Sequence, residues 1–387
     1  MHLVEQYALV TGAKINKPFI ETSYYPIPFD KYIVVENGGE QMKSRIYSMW
    51  TDIISEIKEV LDTKNIKIVQ VGELNSEQMP GVFDLRGRAT AKQLAYIIKN
   101  SLLHCSTNDF LLDVASHFDV PVVGMYGNTY ANVAKPFWGD KNKKTILESH
   151  RKGKKPSFLA EESPNTLNLI YPEKIVNSIL NLLELDQKEK HETKFIGDLY
   201  STNVLEAVPD FIPPNSFQPS MVINLRMDYH FNLDNLVQWA KNRKLNIFTS
   251  KIIDLNYLNA IKSSVVAIQQ EICSDLNVKY LNILNNLKIP CELFTKNEAA
   301  VNNLRLKYFD YKVVYKKTKT KKDMENFEFS SDFYYKSNKL LLSKEKKYLS
   351  KYDYLNDRPY NRKDLKIADD MNFWEDLDFF RIYKKTV

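Results

Sequence analysis

Short polar turns that follow apolar runs carry the residue types able to do chemistry in this chain. The first is Glu36-Asn37-Gly38-Gly39, where Gly38 and Gly39 let backbone N–H groups approach a diphosphate and the next helix adds its positive end. Lys43 follows closely and could neutralise a phosphate oxygen. A plain tight turn and a solvated lysine are the alternatives.

A second turn, Ser106–Asp109, offers hydroxyl, amide and carboxylate groups for a ribose or sugar hydroxyl. Its candidates are Asn108 and Asp109, with Asp113 one helical turn further on. The alternative is an ordinary helix N-cap, a role that Asn and Asp serve well. A third turn with small polar groups follows the run PVVGMYG and contains Gly127, Asn128 and Thr129.

The elements that must position these turns alternate between strand and helix. The run Ile33-Val34-Val35 predicts a strand buried on both faces, and a helix with apolar positions from Trp50 to Leu61 precedes the strand IKIVQVG. The same alternation continues to a helix that begins at Pro172. Residues 31–190 therefore predict an α/β domain with a doubly wound sheet and ligands at the carboxyl ends of its strands.

A similar series of elements follows a Pro-rich stretch at 191–220, which we interpret as a linker. The segments KNSLLHC and DVPVVGMYGN have counterparts in KSSVVAIQ and KIPCELFTKN. We therefore expect a second Rossmann-like domain over 221–315, facing the first across a cleft. Residues 1–30 predict a helix and a linker. Residues 316–387 form a Lys- and Tyr-rich segment with a late helix near Phe373, Trp374 and Leu377.

Composition narrows the class of protein. The 387 residues suit two domains, and 44% hydrophobic with 26% charged residues is typical of a folded protein. No apolar run approaches the roughly 18–20 residues that cross a bilayer, and Glu5 and Gln6 stand where a signal peptide would be apolar. A cytoplasmic protein without an integral membrane segment is expected. The three cysteines lack metal-ligand spacing, so no metal and no cofactor is predicted.

The order of the motifs resembles the donor half of the heptosyltransferase-like family 9 glycosyltransferases over about residues 1–185. The resemblance rests on the first turn with its Lys and downstream Trp, VGE, DLRGRATAKQLAYIIKNS, TND, ASHFDVPVVGMYGNT, PFWG and NLIYPEKIVNSILNLL. It implies a GT-B fold, an ADP-sugar or other NDP-sugar donor, and a glycan, a lipid-linked sugar or another hydroxyl compound as acceptor. It also implies that Lys43 contacts the donor diphosphate and that Asn108–Asp113 lies against the nucleotide sugar.

Four positions depart from the family pattern Asp-Ser/Thr-Gly-x-x-His. Asn108 stands at the Asp, Asp109 at the Ser or Thr, Phe110 at the Gly and Asp113 at the His. A carboxylate about 4 Å from a phosphate would cost on the order of 4 kcal/mol at an effective dielectric constant of 20. The family's catalytic base has no matching position. Asp228 or His230, after the first strand of the second domain, could take its place, and a solvated loop is the alternative.

Three functions follow from these observations. The first is a glycosyltransferase that uses a nucleotide sugar. The second is a catalytically inactive binding or structural protein of the same fold, which the altered Asn108–Asp113 segment supports. The third is a nucleic-acid-binding or DNA-modifying protein, suggested by the run Tyr315–Lys322. A basic loop, Ser149–Ser157, could clamp a phosphate or a nucleic acid backbone, or could be solvated.

Overall fold

The computed structural model describes residues 1–185, 191–317, 332–361, 366–367 and 374–385. The chain divides into two compact units, residues 1–191 and 192–386. Across the described ranges, no helix is both long enough and apolar enough to cross a membrane.

The first unit is built around a parallel sheet of six strands in the order β3-β2-β1-β4-β5-β6. Its strands are β1 (Tyr32–Glu36), β2 (Lys67–Val71), β3 (Phe83–Asp84), β4 (His104–Thr107), β5 (Val122–Tyr126) and β6 (Lys144–Glu148). Its helices are α1 (Leu3–Thr11), α2 (Trp50–Thr63), α3 (Ala91–Lys99), α4 (Phe110–His117), α5 (Ala131–Ala134) and α6 (Pro172–Leu182). Short 3-10 helices cover Glu40–Arg45, Lys141–Lys143, Arg151–Gly153 and Thr166–Leu169.

The central strands of this sheet are buried on both faces. Val34 and Val69 belong to a core cluster that includes residues of α3 and α4, while the alternate residues Ile33 and Val35 are fully buried too. Strands that are apolar at every position are typical of a parallel sheet covered on both sides. The doubly wound sheet predicted for 31–190 is therefore confirmed.

Local signals explain where the helices begin. Thr90 caps α3 in a capping box with Gln93, and α6 begins with Pro172 in its first turn. The N-terminal α1 ends at Gly12, whose φ of 68° suits a residue without a side chain. None of the residues of α1 is buried.

The second unit contains a sheet of eight strands in the order β13-β12-β11-β10-β9-β8-β15-β16. Its strands are β8 (Val204–Ala207), β9 (Ile223–Arg226), β10 (Leu245–Thr249), β11 (Val265–Glu271), β12 (Cys291–Thr295), β13 (Val313–Tyr315), β15 (Lys339–Ser343) and β16 (Lys346–Tyr348). Its helices are α7 (Leu233–Ala240), α8 (Leu255–Ile261), α9 (Val278–Asn286), α10 (Val301–Lys307) and α11 (Lys351–Leu355). All neighbouring strands except the pair β15 and β16 are parallel, so the second predicted Rossmann-like domain is also present.

Strands also lie where the sequence predicts a linker. The range 191–220 contains β8 together with β7 (His191–Ile196), and β8 pairs with both β9 and β15. The pairing of β8 with Lys339–Leu342 joins segments that are distant in the chain. The residues between β7 and β8 and those after β8, where Pro209, Pro213, Pro214 and Pro219 occur, are irregular as the sequence predicts.

A small four-stranded sheet combines β7 with three strands from the last part of the chain. It has the order β17-β14-β18-β7 and includes β14 (Phe333–Ser337), β17 (Lys366–Ile367) and β18 (Phe380–Lys385). Strand β14 is antiparallel to both of its neighbours. A 3-10 helix covers Trp374–Phe379, close to the predicted late helix. Phe373 lies outside the described residues, as do Thr318–Lys322 of the predicted basic run.

Candidate functional site

The predicted turns of the first unit leave the same edge of its sheet. Glu36, the last residue of β1, is paired with Ser106 of β4, and Thr107 is paired with Met125 of β5. The strand order reverses between β1 and β4. Because the connections of parallel strands diverge at such a point, a crevice opens at their carboxyl ends, and ligands of open α/β sheets bind there.

Side-chain hydrogen bonds tie the turns to one another. Asn128 is 1% exposed, and its Nδ2 donates to Ser44 Oγ at 2.8 Å. Asn108 Nδ2 donates to Thr129 Oγ1 at 3.1 Å, and Arg45 Nη1 donates to the carbonyl oxygen of Asn108 at 2.8 Å. The segment after the first turn is thereby joined to the second and third turns.

The glycines of the first turn are in close contact with the protein itself. A Cβ atom at Gly38 would lie 2.6 Å from the carbonyl oxygen of Arg45, and one at Gly39 would lie 2.8 Å from the carboxylate of Glu73. Real Cβ atoms are not found so close to another heavy atom. Packing against backbone therefore requires Gly38 independently of any ligand, whereas the flexible side chain of Glu73 could move to accept a larger residue at Gly39.

The two cations beside this turn differ in what they contact. Lys43 Nζ lies 2.5 Å from Glu161 Oε1, and the two side chains are 62% and 66% exposed. This contact raises the pKa of Lys43 above its ordinary value. Arg45 is half-buried, and its Nε has no hydrogen-bond partner among the described residues. Arg45 therefore brings an unused donor to the edge of the sheet, whereas Lys43 points its charge toward solvent and Glu161.

Carboxyl groups gather at the same edge. Glu36 is 6% exposed, and its Oε2 has no partner among the residues described here. Burial, followed by the charges of Asp109 and Glu73, raises the pKa of Glu36 well above its ordinary value. Asp109 caps α4 by accepting a hydrogen bond from the backbone N–H of Leu111 at 3.2 Å, and burial raises its pKa. The N-cap alternative for Asp109 is thus realised.

Asp113 adds a further acidic group on the first turn of α4. The residue is exposed overall, but the protein packed around its carboxyl group raises the pKa to about 6, against the opposing charges of His2 and Lys144. From the sequence, Glu36 is named only as part of the first turn and Glu73 only within the VGE motif, and neither of them nor Arg45 is given a role. Charged residues at the ends of apolar runs, IVVE and VQVGE, are the signal that would have identified the two glutamates.

The third turn is held by an arginine of the predicted basic loop. Arg151 is 7% exposed, and its Nη1 donates to the carbonyl oxygens of Gly127 at 3.1 Å and Thr129 at 3.4 Å. Its Nη2 forms an ion pair with Glu148. A Cβ atom at Gly127 would lie 2.7 Å from the backbone nitrogen of Leu167. Arg151 therefore supports the turn, and the exposed lysines of the loop carry its remaining charge.

In the second unit, the predicted base Asp228 lies in a buried ion pair. Arg226 Nε and Nη2 donate to Asp228 Oδ1 and Oδ2 at 2.8 and 2.7 Å, and Arg226 Nη1 lies 3.0 Å from both carboxylate oxygens of Glu206. The ring of Tyr229 covers the guanidinium at 3.8 Å. His230 is exposed. Both carboxylate oxygens of Asp228 are engaged by the guanidinium, so His230 is the freer of the two candidate bases.

Lys316 lies on two aromatic rings of the same unit. Its Nζ is 3.8 Å from the ring centre of Phe294 and 4.6 Å from that of Phe248. Burial, with the nearby charge of Arg226, lowers the pKa of Lys316 to about 8. Within the described ranges, no three His, Cys, Asp or Glu side chains are arranged to hold a metal ion.

No protein-family model and no curated protein matches the chain. Among solved structures, it is similar to a family 9 glycosyl transferase from Veillonella parvula, with 16% identity over 47% of this chain and 50% of that one and a TM-score of 0.31. The E. coli ADP-heptose LPS heptosyltransferase II matches with 15% identity over 47% and 51% of the two chains and a TM-score of 0.31. A UDP-GlcNAc 2-epimerase from Methanocaldococcus jannaschii matches with 12% identity over 74% of this chain and 89% of that one, with a TM-score of 0.19.

The first of these structures is a family 9 glycosyl transferase, the family that the sequence resembles. This chain spans about half the length of each of the first two proteins. Identities and TM-scores of this size carry no information on activity. Any assignment of function must come from the residues at the sheet edges.

Proposed function

We propose that the chain is a glycosyltransferase that binds a nucleotide sugar at the carboxyl edge of the first sheet. The observation that supports this most is the reversal of strand order between β1 and β4, with the three polar turns tied together at that edge. Ligands of doubly wound sheets bind at such switch points. The donor half of family 9 glycosyltransferases, which the sequence resembles, is the matching functional class.

In this proposal the diphosphate binds near Arg45. Its guanidinium, whose Nε is buried without a hydrogen-bond partner among the described residues, and the backbone N–H groups around Gly38 and Gly39 are donors of the kind that bind phosphate oxygens. Asn108, Asp109 and Asp113 would contact hydroxyl groups of the ribose or the transferred sugar. Lys43 would add long-range attraction from its exposed position.

The chemical step would be a displacement at the anomeric carbon without a metal. The acceptor hydroxyl forms the new bond, its proton passes to a base, and the nucleoside diphosphate leaves with its charge stabilised by Arg45 and backbone N–H groups. Asp228 and His230 of the second unit remain the proposed bases. Because Arg226 occupies both oxygens of Asp228, His230 is the first to test. A cytoplasmic location is part of the same proposal.

Thermal shift and calorimetry with ADP-, UDP-, GDP- and CMP-sugars test donor binding directly. A ligand present at 100 times its dissociation constant stabilises the folded protein by about 2.7 kcal/mol. We expect at least one of these compounds to raise the melting temperature. If none of them raises the melting temperature at millimolar concentration, the proposal of a nucleotide-sugar site is wrong.

The second candidate function is binding without catalysis. It is favoured by the contact of Arg226 with both carboxylate oxygens of Asp228, which leaves this candidate base without an open oxygen. Binding of a nucleotide sugar without release of the nucleoside diphosphate, in the presence of a range of acceptors, would support this alternative. Nucleic acid binding stays the third candidate; Thr318–Lys322 of the basic run that suggests it lie outside the described residues.

A further inference from the structure

A cleft lies at the amino edge of the second sheet, opposite the carboxyl ends of its strands. It is bounded by Pro219–Val222 before β9, by Lys241–Lys244 between α7 and β10, and by Ser263 and Ser264 before β11. These strands are parallel, so the segments that precede them meet at one edge. The volume of the cleft is about 590 Å³, within the range of about 300–1,000 Å³ that is usual for small-molecule sites.

Two exposed lysines line this amino-edge cleft, and no Asp or Glu is found among the described residues around it. Lys241 Nζ donates to Gln238 Oε1 at 2.7 Å, and Lys244 Nζ donates to the carbonyl oxygen of Ser263 at 3.0 Å. Both acceptors are neutral, and in the described part of the chain neither lysine pairs with a carboxylate. Because an ammonium group has three N–H donors, both lysines keep donors for a ligand.

Arg243 adds a buried positive charge to the same cleft. It is 6% exposed, and its guanidinium donates to the backbone carbonyl oxygens of Phe217 and Pro214 at 2.7 Å, Lys241 at 3.0 Å and Gln238 at 3.2 Å. Carbonyl groups satisfy the N–H donors of a guanidinium without cancelling its charge. Gln238 and Lys241 end α7, so Arg243 also takes up carbonyl groups that would otherwise repel an anion. The charge of Arg243 therefore adds to that of the two lysines.

Aliphatic side chains form much of the remaining lining. They belong to Met221, Val222, Val237, Ala240 and Ala260. Met221 and Val222 are 38% and 42% exposed. Among the described residues that line the cleft none is aromatic, so the stacking surface on which nucleobases bind is missing. Cations beside aliphatic surface suit an anion that carries an aliphatic chain.

A structural role for the cations is the alternative. Lysines and arginines near the ends of α7 and α8 offset the negative partial charge of those helix ends. That role needs neither a cleft nor exposed apolar side chains beside it, and both are present here. Three cations also match a dianion, and a phosphate monoester carries a charge of about −1.5 to −2 at neutral pH.

We propose that the amino-edge cleft binds a phosphate monoester that carries an aliphatic chain. Lys241 and Lys244 donate to the phosphate, and Met221 and Val222 contact the chain. The site goes beyond the proposed function and does not depend on it, because the cleft lies at the edge of the second sheet opposite to Asp228 and His230.

Calorimetric titration of the full-length protein with dihexanoyl phosphatidic acid, below its micelle concentration, tests this proposal. We expect saturable binding, with an affinity about tenfold lower in Lys241→Gln and in Lys244→Gln, the loss expected for one hydrogen bond to a charged group. Lys279→Gln is the control, because Lys279 is exposed in the first turn of α9 and does not line the cleft.

Two further ligands separate the contribution of charge from that of the chain. Dihexanoyl phosphatidylcholine has the same chains without net charge and should bind at least tenfold more weakly than the phosphatidic acid. Inorganic phosphate has no chain and should also bind more weakly. Met221→Ser should lower the affinity for the phosphatidic acid about threefold, through lost apolar contact, and leave the affinity for inorganic phosphate unchanged.

Sedimentation with phosphatidylcholine vesicles, with and without phosphatidic acid, identifies the source of the ligand. Binding to the acidic vesicles that is lost in Lys241→Gln and Lys244→Gln would assign the ligand to a membrane lipid. Binding of the soluble compound without binding to vesicles would assign it to a free phosphate ester.

Four outcomes would overturn the proposal. They are no saturable binding of the phosphatidic acid, equally tight binding of phosphatidylcholine or inorganic phosphate, equal affinities in Lys241→Gln, Lys244→Gln and Lys279→Gln, and tighter binding of single-stranded oligo-dT. Arg45→Ala separates the cleft from the proposed nucleotide-sugar site. This variant should bind the phosphatidic acid as the wild-type protein does, and a loss of binding would place the ligand in the first unit instead.

Discussion

In the candidate site, Glu36 is a buried carboxyl group with a strongly raised pKa. Its carboxyl group lies at the end of a buried strand, one oxygen has no partner within the described ranges, and Asp109 and Glu73 lie nearby. A buried charge is unfavourable, so burial favours the protonated form of this carboxyl group and raises its pKa. The first turn therefore begins with a carboxyl group that binds a proton more tightly than an exposed glutamate does.

Replacement of Glu36 by Gln should stabilise the protein at high pH. The folded state binds the proton more tightly than the unfolded chain, whose pKa is near 4.5. The contribution of Glu36 to stability is therefore fully present below about pH 4.5 and is lost as pH rises toward the folded pKa, by up to about 1.4 kcal/mol for each pH unit by which the folded pKa exceeds the unfolded one. Chemical denaturation at pH 4.5, 6 and 8 should show a gain for Glu36→Gln that grows with pH.

Glu161→Gln is the matched control for that measurement, because Glu161 is 66% exposed and forms an ion pair with Lys43 at the surface. Its effect should be small at every pH. If Glu36→Gln increases the free energy of unfolding equally at all three pH values, ionisation of Glu36 is not the cause of the increase.

Arg45 and Lys43 should differ in their effect on donor binding. Arg45→Ala removes a half-buried guanidinium with an unused donor and should weaken the affinity for the best nucleotide sugar by about 10- to 100-fold, the range for a hydrogen bond to a charged group. Lys43→Ala should cost less than about threefold, since its charge is exposed and paired with Glu161. Calorimetry measures both, with exposed Lys64→Ala as control. Equal losses would place the diphosphate nearer Lys43.

Donor affinity should also depend on pH. The pKa values of Glu36 and Asp109 are raised by burial and that of Asp113 is raised to about 6, so these groups gain protons as the pH falls. A diphosphate is then repelled less. Affinity should increase from pH 8 to pH 5.5, and Asp113→Asn should reduce this dependence. An affinity that does not change with pH would place the diphosphate away from these carboxyl groups.

At the scale of elements, a chain of buried charges joins strands of the second sheet. Lys339 of β15 is 2% exposed, and its Nζ lies 3.0 Å from Glu206 of β8 and 2.5 Å from Asp376. Glu206 is also bound by Arg226 of β9. Strands that are distant in the chain are thus connected by charges that neutralise one another.

Lys339→Met should therefore destabilise the second unit strongly. Removal of one partner leaves buried carboxylates uncompensated, which costs about 3–5 kcal/mol. Lys346→Ala is the control: its Nζ lies 2.9 Å from Asp357, but both side chains are largely exposed, so about 0–1 kcal/mol is expected. Denaturant titration measures both variants. A loss for Lys339→Met no larger than the control's would mean that water or another group replaces the lysine.

At the scale of the whole molecule, each unit has a hydrophobic cluster of its own. The cluster of the first unit includes Val34 and Leu111, and that of the second includes Trp239 and Leu284. A separate core is the condition for a domain to unfold by itself.

Calorimetry should accordingly show two thermal transitions. Trp239→Ala removes a fully buried side chain that donates a hydrogen bond to the carbonyl oxygen of Phe211, and it should lower only the transition of the second unit, by the equivalent of about 3–5 kcal/mol. The best nucleotide sugar should raise only the other transition. If a single transition is seen, and its melting temperature is lowered by Trp239→Ala and raised by the nucleotide sugar, the two units unfold together.

The sequence by itself determined the succession of strands and helices in most of both units. Continuous apolar runs such as Ile33–Val35 and helical spacing after Pro172 are local signals, so β1 and α6 were predicted from neighbouring residues alone. The turns after β1, β4 and β5 were likewise identified, because small polar residues after apolar runs mark strand ends.

The tertiary structure decided which of those turn residues contact one another. It also decided which of their charged groups are buried or paired. Strand β8 was missed because its partners β9 and β15 lie elsewhere in the chain. The burial of Glu36, the pairing of Lys43 with Glu161 and the capture of Asp228 by Arg226 also depend on side-chain packing that no local pattern reports. Spacing along the chain reveals local periodicity, whereas desolvation and ion pairing are set by residues that only folding brings together.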